Sequence, residues 1–84
     1  MILDFKLEYP QMQDLLSKIV RQREANMLMG SITLNHIEIN ASTYTTIAKR
    51  LYRNAVSTMA RGKIDYTLDI EHPEDYVMLK LMLA

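Results

Sequence analysis

Between Ala41 and Lys63 the chain carries Lys49, Arg50, Arg53, Arg61 and Lys63 and not one acid. Cations spaced along one face meet phosphate oxygens, and hydroxyls beside them add donors. At about 100° per residue, Thr46, Lys49, Arg50, Arg53, Ser57 and Arg61 fall on one side of a helix, with Tyr44, Ile47, Ala48, Leu51, Ala55 and Thr58 opposite. A helix over 43–61 would spread that stripe along about 27 Å. Tyr52 flanks it and offers a ring for stacking on a base. Lys49, Arg50, Arg53, Ser57 and Arg61, with Tyr52, are therefore the expected site for an anionic partner, a nucleic acid or a nucleotide phosphate. The plain alternative is a solvated helix face, with or without pairing to acids of the last strand.

Other chemistry finds less support. Asp69, Glu71, His72, Glu74 and Asp75 crowd around Pro73, and oxygen ligands with one imidazole suit a hard or borderline cation. No EF-hand or HExxH spacing accompanies them, and acids ahead of a helix are explained by capping and the helix dipole. His36 and His72 have no nucleophile and carboxylate spaced to form a triad. The only glycines are Gly30 and Gly62, so there is no glycine-rich phosphate loop. The reading is of a protein without catalytic residues, metal ligands or cofactor, and not an enzyme.

The 84 residues balance ten cations against ten acids, but unevenly. Residues 1–40 are nearly neutral, 41–63 purely basic, and 64–84 hold one lysine against five acids. Such asymmetry governs association rather than fold. Hydrophobic content of 49% and charged content of 24% fit a folded domain, and one this short buries only about 60–65% of the surface its unfolded chain exposes. With no cysteine, disulfide stapling is excluded. The first ten residues alternate and include Asp4 and Glu8, unlike a secretory leader, and no apolar run is long enough to span a bilayer. A cytoplasmic protein with no membrane partner is expected.

The elements that must carry these residues follow from periodicity. Leu3, Phe5, Leu7 and Tyr9 alternate with Asp4, Lys6 and Glu8 as a half-buried strand does. Pro10 then suits the first turn of a helix, Met12, Leu15, Leu16, Ile19 and Val20 form its apolar face, and Gly30 is its expected left-handed cap. In SITLNHIEIN the parity of apolar positions flips between Leu34 and Ile37, which a two-residue turn at Asn35-His36 resolves by pairing Leu34 with Ile37 and Ile32 with Ile39. Asn40 or Ser42 can cap the basic helix, and Gly62 can end it. Ile64, Tyr66, Leu68 and Ile70 alternate as a fourth strand.

The segment from Pro73 to Ala84 is the ambiguous one. Pro73-Glu74-Asp75 is a helix start, whereas Val77, Leu79, Leu81 and Leu83 also alternate as a strand pairing with the fourth would. Helix is preferred because only Val77 is β-branched. The whole chain, 1–84, then reads as a single α+β domain, a two-layer sandwich of ferredoxin-like βαββαβ order with an added carboxy-terminal helix. That helix is apolar nearly all round, so it is expected to cover the open sheet face or to contact a second copy through Tyr76, Met78, Leu79, Met82 and Leu83. Seven methionines supply further adaptable surface. The first functional expectation is accordingly a small interaction or regulatory module, such as an inhibitor, that self-associates and binds a partner protein. Binding of nucleic acid or phosphate by the basic helix is the alternative.

Overall fold

The computed structural model describes residues 1–59 and 61–84. Along the chain lie β1 (Ile2–Glu8), α1 (Tyr9–Glu24), β2 (Ile32–Leu34), β3 (Ile37–Glu38), α2 (Tyr44–Ser57), β4 (Lys63–Ile70) and α3 (Pro73–Leu83). The strands form one antiparallel sheet in the order β1-β4-β2-β3. β4 thus inserts between β1 and β2, so that β1-α1-β2 is a split βαβ unit. The two-layer α+β architecture is the expected one, but the ferredoxin-like sandwich puts its third strand in that gap. The β2–β3 hairpin is too short to fill it, whereas β4 offers a seven-residue register to β1 from Ile2↔Asp69 to Glu8↔Lys63.

Alternation sorts each strand between two environments. Leu3, Tyr66, Leu68 and Ile70 are buried on one face of the sheet, with Phe5, Leu7 and Ile64 half-buried beside them. Against that face lie Met12, Leu16 and Ile19 of α1, none with any exposure, together with Ile47 and Leu51 of α2 and Leu79 of α3. Each fully buried aliphatic side chain contributes about 1.5–3 kcal/mol relative to leaving it in water. The other face carries Ile2, Asp4, Lys6, Glu8, Lys63, Asp65, Thr67 and Asp69, all exposed. Among the described residues no helix covers it, and α3 packs in the layer of the other helices rather than folding across the open face.

Several local expectations need correction. α1 ends at Glu24, not near Gly30; Ala25 caps it and Asn26 takes the left-handed conformation at φ 57°. Gly30 serves close approach instead, since a Cβ there would lie 3.2 Å from Cβ of Glu71 and 3.3 Å from Cβ of His72. α2 stops at Ser57, with Thr58 as its cap and Met59 left-handed at φ 48°. Gly62, at φ 95°, belongs to the link into β4. Ala60, inside the expected 43–61 helix, lies outside the described residues. The carboxy-terminal segment is helical from Pro73, not a strand beside β4, and His72 caps it by accepting the Glu74 N–H on Nδ1 at 3.2 Å.

The β2–β3 turn is as the parity change requires. Asn35 and His36 both have positive φ, 50° and 65°, the mirror-image turn favoured by the sheet's twist. Leu34 pairs with Ile37, and the Ile39 N–H donates to the Ile32 carbonyl at 2.8 Å.

Candidate nucleic-acid interface on the second helix

α2 lies against the sheet through Ile47 and Leu51 and against α1 through Tyr44, whose hydroxyl is 3.0 Å from that of Ser17. Asn40 prepares its start: Oδ1 accepts the N–H groups of Ser42 and Thr43 at 3.0 and 3.1 Å. With its apolar side fixed in this way, Lys49, Arg50, Tyr52, Arg53 and Ser57 are all exposed. Arg61 is exposed too, but it falls beyond the helix end and does not continue the stripe.

The exposed cations divide between two concavities. Lys49 and Arg53 line a shallow groove of about 520 Å³ along the α1–α2 seam, together with Tyr9, Gln13, Tyr44, Thr45, Ala48 and Tyr52. Three aromatic rings and two cations thus share a surface with no carboxylate among its lining residues. The Tyr9 and Tyr52 rings meet at 6.2 Å with an interplanar angle of 59°, and Gln13 donates to the Tyr9 hydroxyl at 2.8 Å. Arg50 instead borders a cleft of about 340 Å³ where α2, the hairpin tip and β4 meet, beside Asn35, Asn54 and Tyr66. Tyr66 is buried, its hydroxyl has no partner among the described residues, and burial foremost, with Tyr9 second, raises its pKa above the usual 10.0.

Among the described residues none of the α2 cations is held in an ion pair. Among the described residues the side-chain ion pairs include Lys6 with Asp65 at 3.7 Å, on the far face of the sheet, and none to Lys49, Arg50 or Arg53. Among the described residues no cation of α2 pairs with an acid of the last strand, since Asp65 and Asp69 lie on the open face, and the helix face is left solvated, as the plain alternative has it.

The residues expected to meet a second copy are largely consumed by the core. Leu79 has no exposure, which removes it as a surface contact, and Tyr76, Met78, Met82 and Leu83 pack half-buried against the cluster. Val77 and Leu81, one turn apart, are the large apolar side chains that α3 leaves exposed.

The acids around Pro73 disperse rather than converge. Asp75 is 2% exposed and accepts from the Met29 N–H, at 3.0 and 3.1 Å to its two oxygens, and from the Gly30 N–H at 2.9 Å. Arg23 donates to the Gly30 carbonyl from the other side. The carboxylate clasps the α1–β2 loop to α3. Among the described residues no three His, Asp or Glu side chains are grouped to hold a metal ion. Among the described residues no helix is long and apolar enough to cross a membrane.

Sequence periodicity placed Tyr52 beside the cations but missed Tyr9, Gln13 and Tyr44. Strand parity counts Tyr9 among the buried residues of the first strand; in the fold α1 begins at Tyr9, with Pro10 in its first turn, and the Tyr9 ring faces Tyr52 of α2. The available signal was the excess of tyrosine, five against one phenylalanine. The chain matches no family model, no curated protein and no solved structure.

Proposed function

We propose that the chain is a non-catalytic binding module for single-stranded nucleic acid, held along the α1–α2 seam. The observation that supports this most is the grouping of Tyr9, Tyr44 and Tyr52 with Lys49 and Arg53 around one groove without a lining carboxylate. A base offers a π-face to tyrosine, and the two cations, one helical turn apart, meet successive phosphates. Unstacked bases are needed for this, which favours single strands over a duplex. The near-zero net charge leaves little general attraction to polyanions, so binding depends on this one face.

Fluorescence anisotropy with labelled oligothymidine, oligouridine and a duplex of the same length tests the reading. Neutralisation of two phosphates by Lys49 and Arg53 corresponds to a slope of about −1.4 in log affinity against log salt. Lys49→Glu with Arg53→Glu is expected to abolish binding, and Tyr52→Ala to weaken it by about 1–3 kcal/mol. Single strands bound no better than the duplex, or affinity unchanged by the double charge reversal, would overturn the assignment.

A further inference from the structure

We infer that β1 is a dimerisation edge, where a second copy of this chain extends the sheet from four strands to eight. The inference stands on β1 alone and owes nothing to the α2 groove. β1 lies at one end of the sheet order, so one of its sides faces no strand. Which groups lie on that side follows from hydrogen bonding at the other. Met1 and Ile70 exchange bonds, the Ile70 N–H reaching the Met1 carbonyl at 2.7 Å, whereas the Glu71 N–H crosses to Ser31 at 3.0 Å. Residues of an antiparallel strand direct their N–H and C=O alternately to either side. With the register Leu3↔Leu68, Phe5↔Tyr66 and Leu7↔Ile64, the odd residues of β1 bond β4. Ile2, Asp4 and Lys6 therefore present their main-chain groups outward, and no hydrogen bond among the described residues reaches them.

A free seven-residue edge is a template for another strand unless it is blunted. β1 has no proline and no inward-pointing charge, and among the described residues no strand pairs with that side; its inward residues are Leu3, Phe5 and Leu7. The partner is specified by the charges. A symmetric pair must run antiparallel about a twofold axis, and hydrogen bonding requires even residues to oppose even residues. With Phe5 opposite Phe5 of the other copy, Asp4 faces Lys6 twice, Leu3 faces Leu7 twice, and Ile2 faces Glu8. Sliding two residues one way opposes Asp4 to Asp4; sliding two the other way opposes Lys6 to Lys6 and Asp4 to Glu8. A one-residue slip turns the apolar set to the wrong face. Of these registers only the centred one opposes no like charges.

That register also continues a ladder each monomer already holds. Thr67 donates to Asp4 at 2.6 Å, and Lys6 lies 3.7 Å from Asp65, so the row across the joined sheet would run Thr67, Asp4, Lys6, Asp65 through two copies. α3 borders the same edge, its Met82 and Leu83 sharing a cleft with Leu7, and its exposed Val77 and Leu81 add apolar surface on that helix.

Sedimentation equilibrium of the full chain up to about 100 μM tests the inference, with circular dichroism as the folding control. The wild type is expected at twice the 9.8 kDa chain mass. Asp4→Lys alone and Lys6→Asp alone each set like charges across the axis and should be monomeric. The double variant carrying both should dimerise again, and the two single variants should dimerise when mixed. Hydrogen exchange should protect the amides of Asp4 and Lys6 in the dimer and not in the single variants. A monomeric wild type, or single variants that dimerise as it does, would overturn the proposal.

Discussion

Removing the Asp75 carboxylate is expected to unfasten the helical layer, and the cost can be worked from the geometry. The side chain is almost fully enclosed and accepts two main-chain N–H groups, of Met29 and Gly30, at 2.9–3.1 Å. Hydrogen bonds to a charged group contribute about 1.5–3 kcal/mol each, and a buried N–H left without an acceptor costs about 1–3 kcal/mol. Asp75→Asn keeps the shape but turns one acceptor into a donor facing a donor, a loss of about 2–3 kcal/mol. Asp75→Ala strands both N–H groups, a loss of about 2–6 kcal/mol. A chain of 84 residues has roughly 4–13 kcal/mol in total, so the alanine variant approaches the limit of folding. At about 4–8 °C per kcal/mol, Asp75→Asn should lower the melting temperature by about 8–24 °C. Thermal and urea melts followed by circular dichroism measure this, and hydrogen exchange should show Met29 and Gly30 opening first. An Asp75→Asn protein melting within about 3 °C of the parent would refute the reasoning.

Tyr66→Phe should raise stability by up to about 1–2 kcal/mol, since it deletes a buried hydroxyl that has no partner among the described residues. It should also reduce alkaline destabilisation. Because the folded state holds the Tyr66 proton to higher pH than the unfolded chain does, stability falls as pH rises through about 10 and beyond, and melts at pH 9 to 11 should show that fall shrinking in the variant. His36→Gly should stabilise by about 0.5–1 kcal/mol, since His36 holds φ 65° where glycine is free to sit; an unchanged urea midpoint would count against the turn assignment.

What could be read from the sequence was what local periodicity encodes. The parity flip between Leu34 and Ile37 demanded a turn of two residues, and the turn is there. Pro73 followed by two acids started α3 despite the alternating leucines, because a strand could not have buried Leu79 while leaving Leu81 72% exposed. Helix ends were less legible. Met27 and Leu28 prolong the apolar pattern of α1 past its true end, and Asn26 rather than glycine supplies the reversing backbone. Asp75 looked like an ordinary helix-start acid, and nothing near it announces that its partners lie 45 and 46 residues away. The groove had the same difficulty: Tyr9 and Tyr52 are brought together only when α1 packs on α2. The order of the sheet, too, depends on which strand is long enough to pair with β1, a comparison between distant segments.

The open sheet face bears Lys6 and Lys63 against Asp4, Glu8, Glu38, Asp65 and Asp69, while the outward side of α2 bears only cations. A molecule neutral by count thus carries an excess of acids on its open sheet face and of cations on the outward side of α2. It should be retained at low ionic strength by both anion- and cation-exchange resins near its isoelectric point, presenting opposite sides to each, and elute from both with modest salt.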